Sequence, residues 1–318
     1  MSHTHTRTRN NMSITAPFRT VARSLRTLRQ MVAERDTLDA LRSAPGWPAG
    51  HFYSPVPSLA DVARDDSMIF ATKGREIPGV DLRESEQIAL LETFRLLYAS
   101  LDFPERKTPG FRYYFENPNY SYSDAVFLHC MIRHLKPRRI LEIGSGHSSC
   151  ATLDTNERCF AGGIETTFIE PYPELLLSLV TEEDRRRIRI LPERVQDVPI
   201  SEFKALEAND ILFVDSTHVS KVNSDVNRIF AEILPVLQRG VHVHFHDAFY
   251  PFEYPREWIY QGRAWNELYM LRAFLQYNAG FSVVLMNSFL EQFHREYLQE
   301  HMPNCLRCPG ASLWMRRE

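Results

Sequence analysis

Two glycines follow a short apolar run and could bring the backbone close to a ligand. The segment reads Glu142-Ile-Gly144-Ser145-Gly146-His-Ser-Ser149. Glycine lets the chain turn sharply and leaves no side chain between the backbone and a ligand. Glu142 stands two residues before the first glycine, where an acid can hold a cationic group such as the ammonium of an amino acid. The alternative for this segment is a tight turn that binds nothing.

A carboxylate after the next apolar run points to a nucleoside. Glu170 ends the run Thr-Thr-Phe-Ile-Glu, and its spacing from Gly146 suits one strand–helix–strand unit. An acid at such a strand end can accept hydrogen bonds from both hydroxyls of a ribose. Asp197, after the third run, could meet the adenine. Ser149 occupies the place of the third glycine in a dinucleotide-binding GxGxxG motif, which argues against a pyrophosphate resting there.

A second polar cluster is expected where two further apolar runs end. Asp215 and His218 follow the fourth run, while His246 and Asp247 follow the fifth. Asp215, His246 and Asp247 are donors that suit a divalent cation. The alternative is that Asp215 caps a helix and His246 is hydrogen-bonded in the core. His218, placed at the start of the next helix, is a candidate general base because a neutral imidazole can take a proton near pH 7.

Aromatic residues flank both groups of polar residues. Tyr120 precedes the first apolar run and is expected to close one side of a nucleoside pocket. A dense aromatic insertion, 248–265, comes directly after Asp247. Its rings could receive a sugar or an aromatic acceptor and form a lid that excludes water. Packing at the domain edge or at an oligomer interface is the equal alternative.

The spacing of short apolar runs predicts the strands and helices that position these residues. Runs that alternate with helical stretches predict an α/β fold with a doubly wound, mostly parallel seven-stranded sheet. Apolar spacing from Val222 to Leu237 predicts one of the crossover helices. The seven runs are Ile140–Ile143, Ile164–Ile169, Ile188–Leu191, Ile211–Val214, Val241–Phe245, Val283–Met286 and Ser312–Met315.

The chain divides into three parts by composition. Residues 1–12 are polar and predict a disordered tail, 13–105 a helical N-terminal extension, and 106–318 the ligand-binding domain. The extension opens with a basic amphipathic pattern between Ile14 and Val32. Such a helix could contact an anionic membrane or serve as a targeting peptide, or it could dock on its own domain or on a second subunit of a homo-oligomer.

Composition excludes several classes of function. A net charge of -3 over 318 residues gives no field that would recruit nucleic acid. No apolar run approaches the roughly 20 residues that span a bilayer. Five cysteines without a secretory signal indicate reduced thiols and a cytoplasmic protein. Cys305 and Cys308 have the spacing of half a zinc site, but no second pair accompanies them, which favours a surface turn.

These motifs resemble known methyl-transferring enzymes. Ile140-Leu-Glu-Ile-Gly-Ser-Gly146 resembles the S-adenosylmethionine (SAM) loop of the class I SAM-dependent methyltransferases. That fold carries an antiparallel seventh strand, for which Ala311–Arg316 is the candidate. The resemblance implies SAM as cofactor, and the residues expected to hold it are Tyr120, Glu142, Gly144, Ser145, Gly146, Ser149, Glu170, Asp197 and Asp215.

The second cluster is similar to that of the metal-dependent sugar O-methyltransferases that act on macrolides. The resemblance implies Mg²⁺ or another divalent cation bound by Asp215 and Asp247, with His218 as the base. His246 stands where that group has an acid. The expected reaction is O-methylation of a small-molecule hydroxyl, such as that of a sugar. The alternatives are an NAD-dependent oxidoreductase and a non-catalytic methyltransferase-like binding protein.

Overall fold

The computed structural model describes residues 46–71 and 74–318. The tail predicted over 1–12 and the basic amphipathic pattern from Ile14 to Val32 lie outside these residues. Close contacts divide the chain into two compact units, Met1–Asp65 and Asp66–Glu318. The boundary predicted after residue 105 stays a prediction. Within the described ranges, no helix combines the length and the hydropathy required to cross a membrane.

A seven-stranded sheet forms the centre of the larger unit, in the order β3-β2-β1-β4-β5-β7-β6. Strands β1 to β5 are parallel, while β7 runs antiparallel to both β5 and β6. This confirms the predicted α/β fold and its inserted antiparallel strand. The strands are β1 (Arg139–Ile143), β2 (Glu165–Ile169), β3 (Arg189–Leu191), β4 (Ile211–Val214), β5 (His242–His246), β6 (Phe281–Met286) and β7 (Ser312–Arg317).

Helices precede the sheet and connect its strands. They are α1 (Leu59–Ile69), α2 (Glu84–Tyr98), α3 (Tyr122–Leu135), α4 (His147–Phe160), α5 (Glu174–Leu179), α6 (Glu182–Arg187), α7 (Ile200–Lys204), α8 (Asp225–Arg228), α9 (Arg256–Tyr260), α10 (Glu267–Leu275), α11 (Asn287–Phe293) and α12 (Arg295–His301).

The central strands are buried because both of their faces are covered, although β5 alternates histidines with apolar residues. All residues of β4 and β5 are buried, as expected for parallel strands between layers of helices. Helix α3 is buried from Tyr122 to Ile132. It ends at Lys136, which adopts the left-handed conformation (φ 50°) directly before Pro137, because a residue before proline disfavours the helical conformation.

The prediction of one regular helix over Val222–Leu237 is wrong, because the helix begins later and changes its geometry along its length. Val222 is 96% exposed and precedes α8, which begins after Ser224; the Ser224 side chain accepts a hydrogen bond from the N–H of Asn227. The chain then widens into a π-helical turn, Ile229–Ile233, and tightens into a 3₁₀ turn, Leu234–Val236. A serine cap and a proline at position 235 therefore define a shorter element.

Candidate active site

The glycine turn after β1 lies against the ends of both neighbouring strands. Gly144 donates a backbone hydrogen bond to the carbonyl of Ile169 (3.0 Å), and the N–H of Asp215 donates to the carbonyl of Ile143 (2.9 Å). Gly144 has φ +86°, and a Cβ atom there would lie 1.9 Å from the carbonyl oxygen of Asp215. Only glycine fits this position, which leaves the turn open to a ligand.

Glu142 is a fully buried carboxylate that has half of its hydrogen-bonding capacity unused. Its Oε1 accepts hydrogen bonds from the hydroxyls of Ser148 (2.6 Å) and Ser149 (2.9 Å). Its Oε2 has no partner in the structure. Burial raises the pKa of Glu142 to about 8. Ser149 also accepts from the N–H of Gly146 (3.0 Å), so this serine both closes the start of α4 and orients the acid.

A cleft of about 360 Å³ opens beside this turn. Glu170 lies on its wall, where its Oε1 accepts a hydrogen bond from the N–H of Tyr172 (2.9 Å). Burial raises the pKa of Glu170. The ends of β1, β2 and β4 thus meet at one cleft, lined among others by Gly144, Glu170, Val195, Gln196, Asp215 and Thr217.

Of the nine residues expected at the cofactor, only Gly144, Glu170 and Asp215 line this cleft. Glu142, Gly146 and Ser149 are buried, and Asp197, Tyr120 and Ser145 do not line the cleft either. Asp197 is at the surface, where it pairs with Arg194 (2.7 Å); its neighbours Val195 and Gln196 line the cleft instead. Tyr120 is buried beside His246, at 5.1 Å between ring centroids, and its hydroxyl donates to the carbonyl of Asp124 (3.2 Å). The Ser145 hydroxyl is buried and meets no hydrogen-bond partner within residues 46–71 and 74–318.

His218 is the centre of the second cluster. It is in a loop with φ 58° and not at the start of a helix, contrary to the sequence prediction. Its Nδ1 lies 2.8 Å from Oε2 of Glu267, and its Nε2 lies 3.4 Å from Asp215 and 3.5 Å from Asp247. Burial lowers the pKa of His218, but the surrounding carboxylates outweigh it and raise the pKa to about 10. The imidazole is therefore held as a cation at neutral pH.

The sequence reasoning missed Glu267. This acid is only 3% exposed, although it opens α10, a helix whose other buried residues are leucines. The N–H groups of Asn266 and Glu267 donate to the carbonyl of His218 at 3.0 and 3.1 Å. The start of α10 thus fixes both the backbone and the ring of His218. An acid on the inward face of a leucine-rich helix was the signal available in the sequence.

His246 and Asp247 complete the cluster at the end of β5. His246 is buried, with Nε2 3.6 Å from Asp247 and Nδ1 without a partner. Burial would raise the pKa of Asp215, but the charges of His246 and His218 hold it below its usual value. Two carboxylates and an imidazole are donors that suit a divalent cation. Among residues 46–71 and 74–318, however, no group of three or more histidine, cysteine or acidic side chains is arranged to hold a metal.

The aromatic insertion covers His218. The Trp265 ring lies 4.5 Å from the imidazole and meets Trp258 edge-on at 5.3 Å, which in turn meets Phe249 at 5.1 Å. These three rings are only partly buried, whereas Tyr254 is 3% exposed. The insertion therefore combines a buried tyrosine with a group of partly exposed rings that packs against the histidine.

The middle of the chain matches a family model described as a methyltransferase domain, over residues 141–248. This range holds the glycine turn, the cleft and the cluster around His218. The chain belongs to the class I SAM-dependent methyltransferases. It is 36% identical over 174 residues to an uncharacterized protein of Archaeoglobus fulgidus, a match covering 52% of this chain and 76% of that protein. Membership decides against the NAD-dependent oxidoreductase.

Solved structures of other methyltransferases match this chain at lower sequence identity. One is the Podospora anserina methyltransferase PaMTH1 bound to S-adenosylhomocysteine (SAH), at 16% identity and a TM-score of 0.40, with 86% of this chain and 99% of that chain covered. Another is the O-methyltransferase TomG from Streptomyces achromogenes in complex with SAM, at 13% identity and a TM-score of 0.41, with 81% and 96% covered. Similarity of this degree says nothing about the acceptor of the present methyltransferase.

Proposed function

We propose that this methyltransferase transfers the methyl group of SAM to a hydroxyl oxygen of a small molecule such as a sugar. One observation carries the proposal: Asp215 lines the cleft beside the glycine turn and also contacts the imidazole of His218. A cofactor in the cleft and a hydroxyl beside His218 would therefore lie next to each other. Catalysis would come from their alignment and from removal of the hydroxyl proton.

The residues around the cleft fit SAM. SAM supplies an electrophilic methyl group on a sulfonium. Glu142 has a buried carboxyl oxygen that meets no hydrogen-bond partner among the described residues. A cationic amino group beside this oxygen would favour the ionised form of the acid and pair with it. Glu170, held by the backbone N–H of Tyr172, would accept hydrogen bonds from the ribose hydroxyls. Gly144 leaves the space that the ligand needs.

We assign the proton transfer to His218. Glu267 binds Nδ1, so it fixes the ring orientation and leaves Nε2 directed at Asp215 and Asp247. The carboxylates that raise the pKa of His218 stabilise the imidazolium formed when the ring accepts a proton. The neutral ring is a strong base, but it is the minor form at neutral pH, so turnover should rise as the pH approaches the pKa of His218. The Trp265 ring packs against one side of the imidazole.

The test is His218→Ala, assayed by SAH formation with a panel of sugars and phenols and by calorimetry with SAH. We expect turnover to fall by about 10²–10⁴-fold, the usual contribution of a general base, while SAH affinity changes little. A variant that keeps full turnover would overturn the assignment. Wild-type protein that binds SAM but methylates none of the panel would favour the non-catalytic alternative.

Metal assistance is a separate part of the proposal and rests on donor chemistry alone. Asp215, His246 and Asp247 carry suitable donors, but as arranged in the described part of the chain they do not form a metal site. A divalent cation would have to draw the three side chains together. The proposal requires that EDTA abolishes activity and that Mg²⁺ restores it; full activity in EDTA removes this part. The cytoplasmic location and the homo-oligomer stay predictions.

A further inference from the structure

Arg263 stacks on two indole rings of the aromatic insertion. Its guanidinium carbon lies 4.1 Å from the ring centroid of Trp258 and 5.1 Å from that of Trp265. Within the part of the chain that the structure describes, this guanidinium makes no ion pair and no side-chain hydrogen bond. Arg256 in the same insertion differs: it stacks on Tyr260 at 5.1 Å but also pairs with Asp66 at 2.7 Å.

The guanidinium stands on the acceptor side of the active site. Trp265, one of the two rings it stacks on, lies 4.5 Å from His218. Its positive charge reaches Asp247, whose pKa it lowers against the larger, raising effect of burial. Arg263 is partly buried, as are both indoles. A cation, two partly exposed indoles and the proposed base thus lie close together, and Asp215 connects the base to the cleft.

Stacking determines which part of the arginine remains available. A guanidinium on an aromatic ring uses its flat face, and its N–H groups at the edge stay free to bind an oxyanion in a bidentate manner. Indole faces pack well against the apolar faces of a sugar ring. Trp258 and Trp265 therefore offer an aromatic surface for a sugar ring, and the Arg263 guanidinium supplies a positive charge beside that surface.

We propose that Arg263 binds an anionic group of the methyl acceptor, so that the substrate is a hydroxyl-bearing small molecule with a carboxylate or a phosphate. This inference rests on the proposed function, since it concerns the acceptor of the same reaction. Arg263 selects the acceptor by charge and places the hydroxyl near His218. A purely structural arginine would support the indoles without changing the preference between charged and neutral ligands.

The test compares three probes on the full chain saturated with SAH: D-glucuronate, D-glucose 6-phosphate and D-glucose. They share a sugar ring and differ in the carboxylate, the phosphate or the neutral hydroxymethyl group. Tryptophan fluorescence, which reports on the rings beside Arg263, and calorimetry measure the dissociation constants. We expect at least one anionic probe to bind about tenfold or more tightly than glucose, equivalent to ~1.4 kcal/mol.

Variants connect this preference to the residue. Arg263→Gln should remove the tenfold preference, Arg263→Lys should keep part of it, and the control Arg256→Gln should leave it unchanged. Comparison of glucuronate with glucose 6-phosphate tells a carboxylate acceptor from a phosphate one. Equal binding of all three probes to the wild type, or a preference that survives in Arg263→Gln, overturns the inference.

Failure of the proposed function gives a different result. Protein that binds SAH normally but shows no charge preference refutes only the role of Arg263. Protein that does not bind SAH, or that keeps full turnover after His218→Ala, refutes the proposed function instead.

Discussion

Replacing Gly144 with alanine should remove SAM binding and destabilise the fold. The new Cβ would lie 1.9 Å from the carbonyl oxygen of Asp215, about 1.4 Å closer than the shortest ordinary carbon–oxygen contact of ~3.3 Å. The loops after β1 and β4 must then separate. A left-handed φ costs an L-residue about 1–2 kcal/mol, and forced overpacking costs about 1–3 kcal/mol more.

The control Gly162→Ala separates these two costs. Gly162 has a similar φ of +75°, but a Cβ there would meet nothing within 4 Å. We expect it to lose only the conformational part, about 1–2 kcal/mol, whereas Gly144→Ala should lose about 2–5 kcal/mol in total. Urea unfolding followed by circular dichroism measures the free energy of unfolding of both variants.

Calorimetry with SAH gives the functional half of the prediction. Gly144→Ala should bind SAH at least tenfold more weakly, because the turn that borders the cleft is displaced, while Gly162→Ala should bind as the wild type does. If the two variants are equally stable, or if Gly144→Ala binds SAH normally, the reasoning from the close approach to Asp215 is wrong.

Three further variants test other parts of the structure. Glu267→Ala should lower turnover by about 10²-fold or more and leave SAH affinity unchanged, because Nδ1 of His218 loses the partner that orients the ring; steady-state kinetics measures the effect. Glu142 has a pKa raised from 4.5 to about 8, so its folded form keeps a proton that the unfolded chain releases. The stabilising effect of this bound proton is complete below pH 4.5 and is lost as the pH rises to 8. The urea midpoint of Glu142→Gln should therefore change less with pH between 4.5 and 8 than the midpoint of the wild type. Arg112→Met should lower the free energy of unfolding by about 3–5 kcal/mol because it leaves the two buried aspartates Asp154 and Asp184 without their ionic partner. Arg106 is exposed, so Arg106→Met should leave the free energy of unfolding, measured by urea denaturation, almost unchanged.

The fold was accessible to sequence reasoning because its signals are local. Each strand is a short apolar run, and a parallel sheet covered on both faces requires such runs. All seven runs became strands, with shifts of one or two residues at their ends. The rule that ligands bind at the carboxyl ends of such strands then brought Gly144, Glu170 and Asp215 together.

The missed features depend on contacts between distant parts of the chain. Glu267 and His218 are 49 positions apart, and nothing local to either residue shows that they meet. The segment that contains Asp197 does border the cleft, but the Asp197 carboxylate lies at the surface and pairs with Arg194. The raised pKa of His218 likewise depends on Glu267, which joins Asp215 at the imidazole only in the folded chain.

The late position of β7 in the sequence has a consequence for how the protein folds during synthesis. Ser312–Arg317 fits between β5 and β6, both made earlier. Until those residues leave the ribosome, β5 presents an unpaired edge just where His246 must be held. Strands β1 to β5 can assemble on a nascent chain, but the active site is complete only after β7 has been synthesised. Until then the exposed edge of β5 can pair with other chains.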